Sequence, residues 1–163
     1  MTKIPAIGFS AWSGTGKTTL VEKLIRELKT RGLRVAVMKH DAHKFEIDKE
    51  GKDSWRFTNA GADMTLISSQ AKTAIIEQRE RTFEENISMI HDVDIILVEG
   101  YKQESIPKIG ISRKATGKGL PHPLNTYVAV VTDDETIPNG IIPVFGLEEI
   151  TEIAEFLQKY MNK

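Results

Sequence analysis

The stretch Ile7-Gly8-Phe9-Ser10-Ala11-Trp12-Ser13-Gly14-Thr15-Gly16-Lys17-Thr18-Thr19-Leu20 constrains the fold more than any other part of the chain. An apolar run precedes it and an amphipathic helical pattern follows it directly. Strand, glycine-bearing loop and helix in succession is the context in which Gly-Lys-Thr acts as a phosphate-binding loop. Gly14 and Gly16 lack Cβ, so the backbone there can bend sharply and approach an anion closely. Successive N–H groups then point into one concavity at the positive end of the following helix. Ser13, Gly14, Thr15, Gly16, Lys17, Thr18 and Thr19 are therefore the candidate nucleotide-binding residues. Lys17 supplies a mobile charge for the β- and γ-phosphates, and Thr18 a hydroxyl for a phosphate-bound Mg²⁺. The usual pattern is Gly-x-x-x-x-Gly-Lys-[Ser/Thr], and Ala11 occupies its first glycine position. Alanine fits there if the residue keeps φ negative.

At 163 residues the chain is expected to form one domain, 1–163, with a real core. A net charge of −1 gives no electrostatic footprint for nucleic acid. The absence of cysteine excludes disulfides, thiolate zinc sites and cysteine nucleophiles. Met1-Thr2-Lys3-Ile4-Pro5 has neither the long apolar core nor the cleavage pattern of a signal peptide, and no apolar run reaches membrane-spanning length. Cytoplasmic residence without membrane attachment is the expectation.

In chain order, a strand over Lys3–Ser10 leads into the loop, and a helix from about Lys17 to Arg31 carries Leu20, Val21, Leu24, Ile25 and Leu28 on one face. Gly32 stops it, and Leu33–Met38 reads as a second, parallel strand. A polar segment, Lys39 to Asp48, follows that strand's carboxyl end, where ligands of open α/β sheets bind. A short helix is expected over 51–57. Met64–Ser68 and Thr73–Glu77 form an antiparallel hairpin around Ser69-Gln70-Ala71. A helix follows from about Thr82 to His91, then a buried strand over Asp94–Gly100. Tyr101 to Thr126 is rich in proline, glycine and lysine; it reads as an extended arm with one possible strand at Lys108–Arg113. Tyr127–Asp133 is a buried strand, Ile141–Phe145 a short one at a sheet edge because of Pro143, and Leu147–Tyr160 the closing helix. The fold class is α/β, a three-layer α/β/α P-loop NTPase arrangement with a mainly parallel sheet and an antiparallel hairpin.

Four apolar residues precede Glu99 and Gly100 follows it. A carboxylate at the end of a buried strand can ligate Mg²⁺ through water or orient a nucleophilic water, so Lys17 and Glu99 are the candidate catalytic residues, and Thr18 and Glu99 the candidate metal ligands, with Asp53 as a third. Asp94 begins the same strand and lies at the far end of the sheet. His40, Asp41 and His43 fit a transition-metal site and fit a solvated or phosphate-contacting loop equally. Lys39 and Lys52 could also touch phosphates. Asp133 could accept from a purine's exocyclic amine or simply initiate a turn; the Asn-Lys-x-Asp pattern that reads guanine is absent. Arg113 and Lys102 could reach an anionic ligand or serve as solvated charge.

Ser13-Gly14-Thr15-Gly16-Lys17-Thr18-Thr19-Leu20, Lys39-His40-Asp41-Ala42-His43, Gly51-Lys52-Asp53-Ser54 with Ala60-Gly61-Ala62, and Leu97-Val98-Glu99-Gly100-Tyr101-Lys102 occur in that order. Over nearly its whole length the chain resembles the molybdopterin-guanine dinucleotide biosynthesis protein B family, MobB. The phosphate loop is shared by many families; the Lys-His segment followed by Gly-Lys-Asp-Ser and Val-Glu-Gly is far more specific. The resemblance implies a GTP-binding protein with weak GTPase activity and Mg²⁺ as cofactor. It implies an assistant to the nucleotidyltransferase MobA in converting molybdopterin to its guanine dinucleotide. It implies a homodimer, for which the 101–126 arm is a plausible ribbon. Ala42 departs from the family, whose members often carry another histidine there, and this weakens a histidine metal site. Two other readings use the same loop: a small-molecule kinase, for which only Arg79 and Arg81 lie near a possible lid, and a nickel- or zinc-delivery GTPase built on His40 and His43.

Overall fold

Ile95-Ile96-Leu97-Val98 has no polar residue on either face, a pattern that suits a parallel strand covered on both sides. In the computed structural model, which describes residues 4–41, 45–138 and 140–161, this run is the fifth strand and is buried throughout. The elements in order are β1 (Ala6–Ala11), α1 (Lys17–Thr30), β2 (Val35–Lys39), α2 (Asp53–Asn59), β3 (Met64–Ser68), β4 (Thr73–Glu77), α3 (Phe83–Ser88), β5 (Ile95–Glu99), β6 (Lys108–Ser112), β7 (Ala129–Thr132), β8 (Val144–Phe145) and α4 (Ile150–Met161). The chain packs as two compact units, Met1–His40 with Ser88–Lys163, and Asp41–Ile87.

The first unit holds a six-stranded sheet in the order β2-β5-β1-β6-β7-β8, parallel throughout. Alternation sorts its side chains. Ile7 and Phe9 of β1, Ile95 and Leu97 of β5, Ile109 and Ile111 of β6, and Ala129 and Val131 of β7 point to one face. There they form a single core with Leu20, Leu24 and Leu28 of α1 and Ile153, Ala154 and Leu157 of α4. The two helices pack on each other as well as on the sheet. Asp94 receives the Arg34 N–H at 2.6 Å where β5 and β2 begin, so it stands at the opposite end of the sheet from the phosphate loop. Among the described residues no helix is long and apolar enough to cross a membrane.

Residues 101–126 contain the strand expected at Lys108–Arg113. Their middle is β6, which lies between β1 and β7, with Ile109 and Ile111 fully buried. The flanking prolines and glycines are those of loops, yet Ile109 and Ile111 alternate around Gly110 as an interior strand requires. Gly110 itself explains how the return segment is held. A Cβ there would come within 2.9 Å of Leu120 and 3.0 Å of Tyr127, so the missing side chain admits both against the sheet. The Tyr127 hydroxyl then accepts the His122 N–H at 3.1 Å and donates to Ser10 Oγ at 3.4 Å.

The second unit is organised around the antiparallel hairpin, whose register pairs Met64 with Glu77 and Ser68 with Thr73. Ser69 closes its turn, the Oγ accepting the N–H groups of Ala71 and Lys72 at 3.2 Å each. α2 meets β3 through the hydroxyls of Thr58 and Thr65, 3.0 Å apart. α3 opens on a reciprocal cap: the Thr82 hydroxyl accepts the Glu85 N–H at 3.1 Å, and the Glu85 carboxylate accepts the Thr82 N–H at 2.8 Å. Arg79 bridges Glu77 and Glu85.

Two measurements follow from this packing. Ile109→Ala removes a fully buried side chain and should lower the unfolding free energy in urea by about 2–4 kcal/mol; a loss below about 1 kcal/mol would return the segment to the surface. The Glu85 carboxyl is held below its ordinary 4.5, first by the Thr82 N–H and then by Arg79. A depressed carboxyl stabilises above its unfolded value and loses that contribution as pH falls. The Tm advantage of the wild type over Glu85→Gln should therefore be present at neutral pH and shrink as pH drops through 4.5 and below, whereas a gap independent of pH would deny the charge a role.

Candidate phosphate-binding site

β1 carries the chain to the carboxyl edge of the sheet, and α1 starts six residues later at Lys17. Gly14 and Gly16 adopt φ of 85° and 87°, where only glycine sits without strain. Ala11 ends β1 and is not among the positive-φ residues, which is why alanine serves in the place of the first glycine. Thr15 is 1 % exposed, and its hydroxyl donates to the Trp12 carbonyl at 2.9 Å. This bond staples the loop from inside, a role its position in the motif did not reveal. Gly16 is the N-cap of α1; no side chain caps the helix and no acid lies in its first turn. The N–H groups of that turn and the positive end of the helix dipole are left for an external anion.

The loop forms one wall of a cleft of about 460 Å³ whose other lining includes His40, Glu99, Gly100 and Lys102. Glu99 stands opposite Phe9 of β1 and Lys39 of β2 in the parallel register. Its carboxylate forms an ion pair with Lys17, both side chains being about four-fifths buried at 19 % and 20 % exposure. Gly100 has φ of 90°, and a Cβ on it would lie 2.7 Å from the His40 carbonyl oxygen. The glycine after Glu99 is thus needed for β5 to turn past β2, whose exit is tied by the His40 N–H to the Glu99 carbonyl at 2.9 Å. Tyr101 follows at φ of 35°, an uncommon backbone for a side chain that size, with its ring 4.9 Å from the His40 ring.

The cleft gathers the loop from Ser13 to Thr19 with Glu99. Thr18 lies in the first turn of α1 with an exposed side chain. Its hydroxyl and the Glu99 carboxylate are hard oxygen donors, which suit Mg²⁺. Asp133 is not in this lining. It follows β7, two strands from β1, where its carboxylate accepts the Lys114 N–H at 2.6 Å. Asp53 opens α2 in the second unit and pairs with Arg56 at 3.6 Å. Ala42 and His43 lie outside the described residues, and among the described residues no three His, Cys, Asp or Glu side chains cluster as a metal site.

The family model described as molybdopterin guanine dinucleotide synthesis protein B matches residues 6–133. The molybdopterin-guanine dinucleotide biosynthesis adapter protein of Haemophilus influenzae is 37 % identical over 98 % of this chain and 91 % of its own length. The adapter protein of the same description from Escherichia coli is 36 % identical over 99 % and 96 %. The crystal structure of Bacillus subtilis MobB superposes with a TM-score of 0.76 at 23 % identity, covering 95 % of this chain and 96 % of that one, a likeness of fold. A family match across the sheet strands from β1 to β7 and full-length relatives above one-third identity lead to one conclusion: this chain belongs to the molybdopterin guanine dinucleotide synthesis protein B family.

Proposed function

We propose that this protein binds GTP with Mg²⁺, hydrolyses it slowly, and acts as an adapter in the conversion of molybdopterin to molybdopterin guanine dinucleotide, in concert with the nucleotidyltransferase MobA. The observation that carries the reading is the cleft at α1: an uncapped helix start and a lysine on one wall, a strand-end carboxylate on the other. The names of the relatives support the pathway. Cytoplasmic residence and a homodimer complete the proposal. The apolar residues exposed on the hairpin of the second unit, among them Met64, Leu66 and Ile75, support a second copy as partner.

Lys17 and Glu99 hold each other before nucleotide arrives. A triphosphate competes for the lysine with a higher charge density than one carboxylate, and the exchange frees Glu99. Thr18 and Glu99 would then hold Mg²⁺, which when bound offsets charge on the phosphates. The amides of the loop take the phosphate oxygens, and Lys17 follows the charge that develops during phosphoryl transfer. Glu99 is also placed to orient a water. The described residues of the cleft offer no further acid, so turnover rests on positioning and charge, in keeping with slow hydrolysis by an adapter.

Calorimetric titration with GTP and Mg²⁺ tests the reading. Lys17→Ala should lose most of the affinity with the fold intact by circular dichroism, and unchanged binding would remove the site. Glu99→Gln releases Lys17 from its internal partner. It should bind GDP without Mg²⁺ at least as tightly as the wild type, yet hydrolyse GTP roughly 100-fold more slowly. Equal turnover in mutant and wild type would dismiss Glu99 from the chemistry.

A further inference from the structure

Arg113 is a cation at the phosphate loop with no part in the phosphoryl chemistry of Lys17, Thr18 and Glu99. It comes directly after β6, the strand that pairs with β1 on the side away from Glu99. Its Nη2 lies 3.3 Å from where a Cβ on Gly16 would stand, so the glycine leaves room for the guanidinium against the loop. Its Nε is buried and has no hydrogen-bond partner. A charged donor taken out of water without an acceptor is costly, and the same surroundings favour an anion brought to it. The neighbouring acid is committed elsewhere: Glu148 is exposed and bonded to Lys23 at 2.5 Å, and its carboxyl is held below the ordinary value first by Lys23 and only lastly by Arg113.

Position along the sheet edge says which part of a nucleotide this cation meets. The cleft with Glu99, His40 and Lys102 opens on the β5 side of β1, where the metal-binding oxygens are. Arg113 stands on the β6 side. The next residue, Lys114, donates its N–H to Asp133 at the end of β7, so Arg113 and Asp133 border one stretch of the edge. A nucleotide with its terminal phosphates and metal on the β5 side must lay its nucleoside toward β6 and β7.

We propose that Arg113 is a nucleotide-contact residue that grips the nucleoside-proximal phosphate, through the planar N–H fork that suits phosphate oxygens. The inference rests on the nucleotide-binding reading of the loop and adds a cation on the opposite side from Lys17. Its distinguishing consequence is that ligand binding and apo stability move apart. A residue that only braces the loop would lower both when removed; a half-buried guanidinium whose Nε lacks an acceptor weakens the empty protein.

The test compares wild type, Lys17→Ala, Arg113→Met and Arg113→Lys for GTP and GDP affinity by calorimetry and for ligand-free Tm. Arg113→Met should bind both nucleotides about ten-fold or more weakly, with a ligand-free Tm equal to or above the wild type. Arg113→Lys keeps the charge without the fork and should fall between; it also serves if the methionine variant does not fold. Affinities within two-fold of wild type in both variants overturn the proposal. So does a Tm that falls along with the affinity, which would make Arg113 a brace of the loop. Wild type that binds neither nucleotide would sink the site reading itself, whereas loss in Lys17→Ala alone would sink only the role of Arg113.

Discussion

The parallel register of β1 and β5 is the constraint on which the site depends. Phe9 stands opposite Glu99, so the strand that delivers the phosphate loop and the strand that delivers the carboxylate end side by side. A slip of one residue would turn Glu99 to the other face of the sheet. Ile95 to Val98 are all buried, so both faces of β5 are covered up to the residue before Glu99. From this alignment follows the ion pair of Lys17 and Glu99. A lysine at the positive end of a helix would be poorly placed without an anion, and the carboxylate supplies one until a phosphate displaces it.

Three glycines set the approach distances around this pair, each for a different neighbour. Gly16 ends the loop at positive φ and leaves space for Arg113. Gly100 lets β5 pass close against the His40 backbone. Gly110 lets Leu120 and Tyr127 close over the sheet. Tyr127 reaches Ser10 at the end of β1, so the segment between β6 and β7 braces the strand that carries the loop.

The hairpin strands β3 and β4 were legible in the sequence to the residue. A four-residue link between two β-branched runs leaves one register, and Ser69 supplies the turn's own hydrogen bonds. The phosphate loop was equally plain, because glycine spacing, lysine and threonine each have a local chemical reason. The helix expected over Thr82–His91 is shorter, Phe83–Ser88; its start agrees to one residue and is fixed by the Thr82–Glu85 cap, and its end falls earlier. The Leu33–Met38 strand shifts to Val35–Lys39, since Leu33 donates back to the helix at Leu28 and Arg34 gives its N–H to the Asp94 carboxylate.

What the sequence determined by itself was whatever rests on neighbours along the chain: the strand–loop–helix, the buried runs of β5 and β7, the hairpin, and a carboxylate at a strand end. What only the tertiary structure decided was adjacency between distant segments. Lys108–Ser112 reads as one possible strand in a loop-rich stretch, and only the sheet makes it an interior one, with Gly110 admitting Leu120 and Tyr127. Arg113 reads equally as an anion contact or as solvated charge until β6 is laid beside β1 and its guanidinium comes up against Gly16. Both outcomes depend on which strand lies next to which, and strand order is set by packing across the whole sheet rather than by any local preference of the residues concerned.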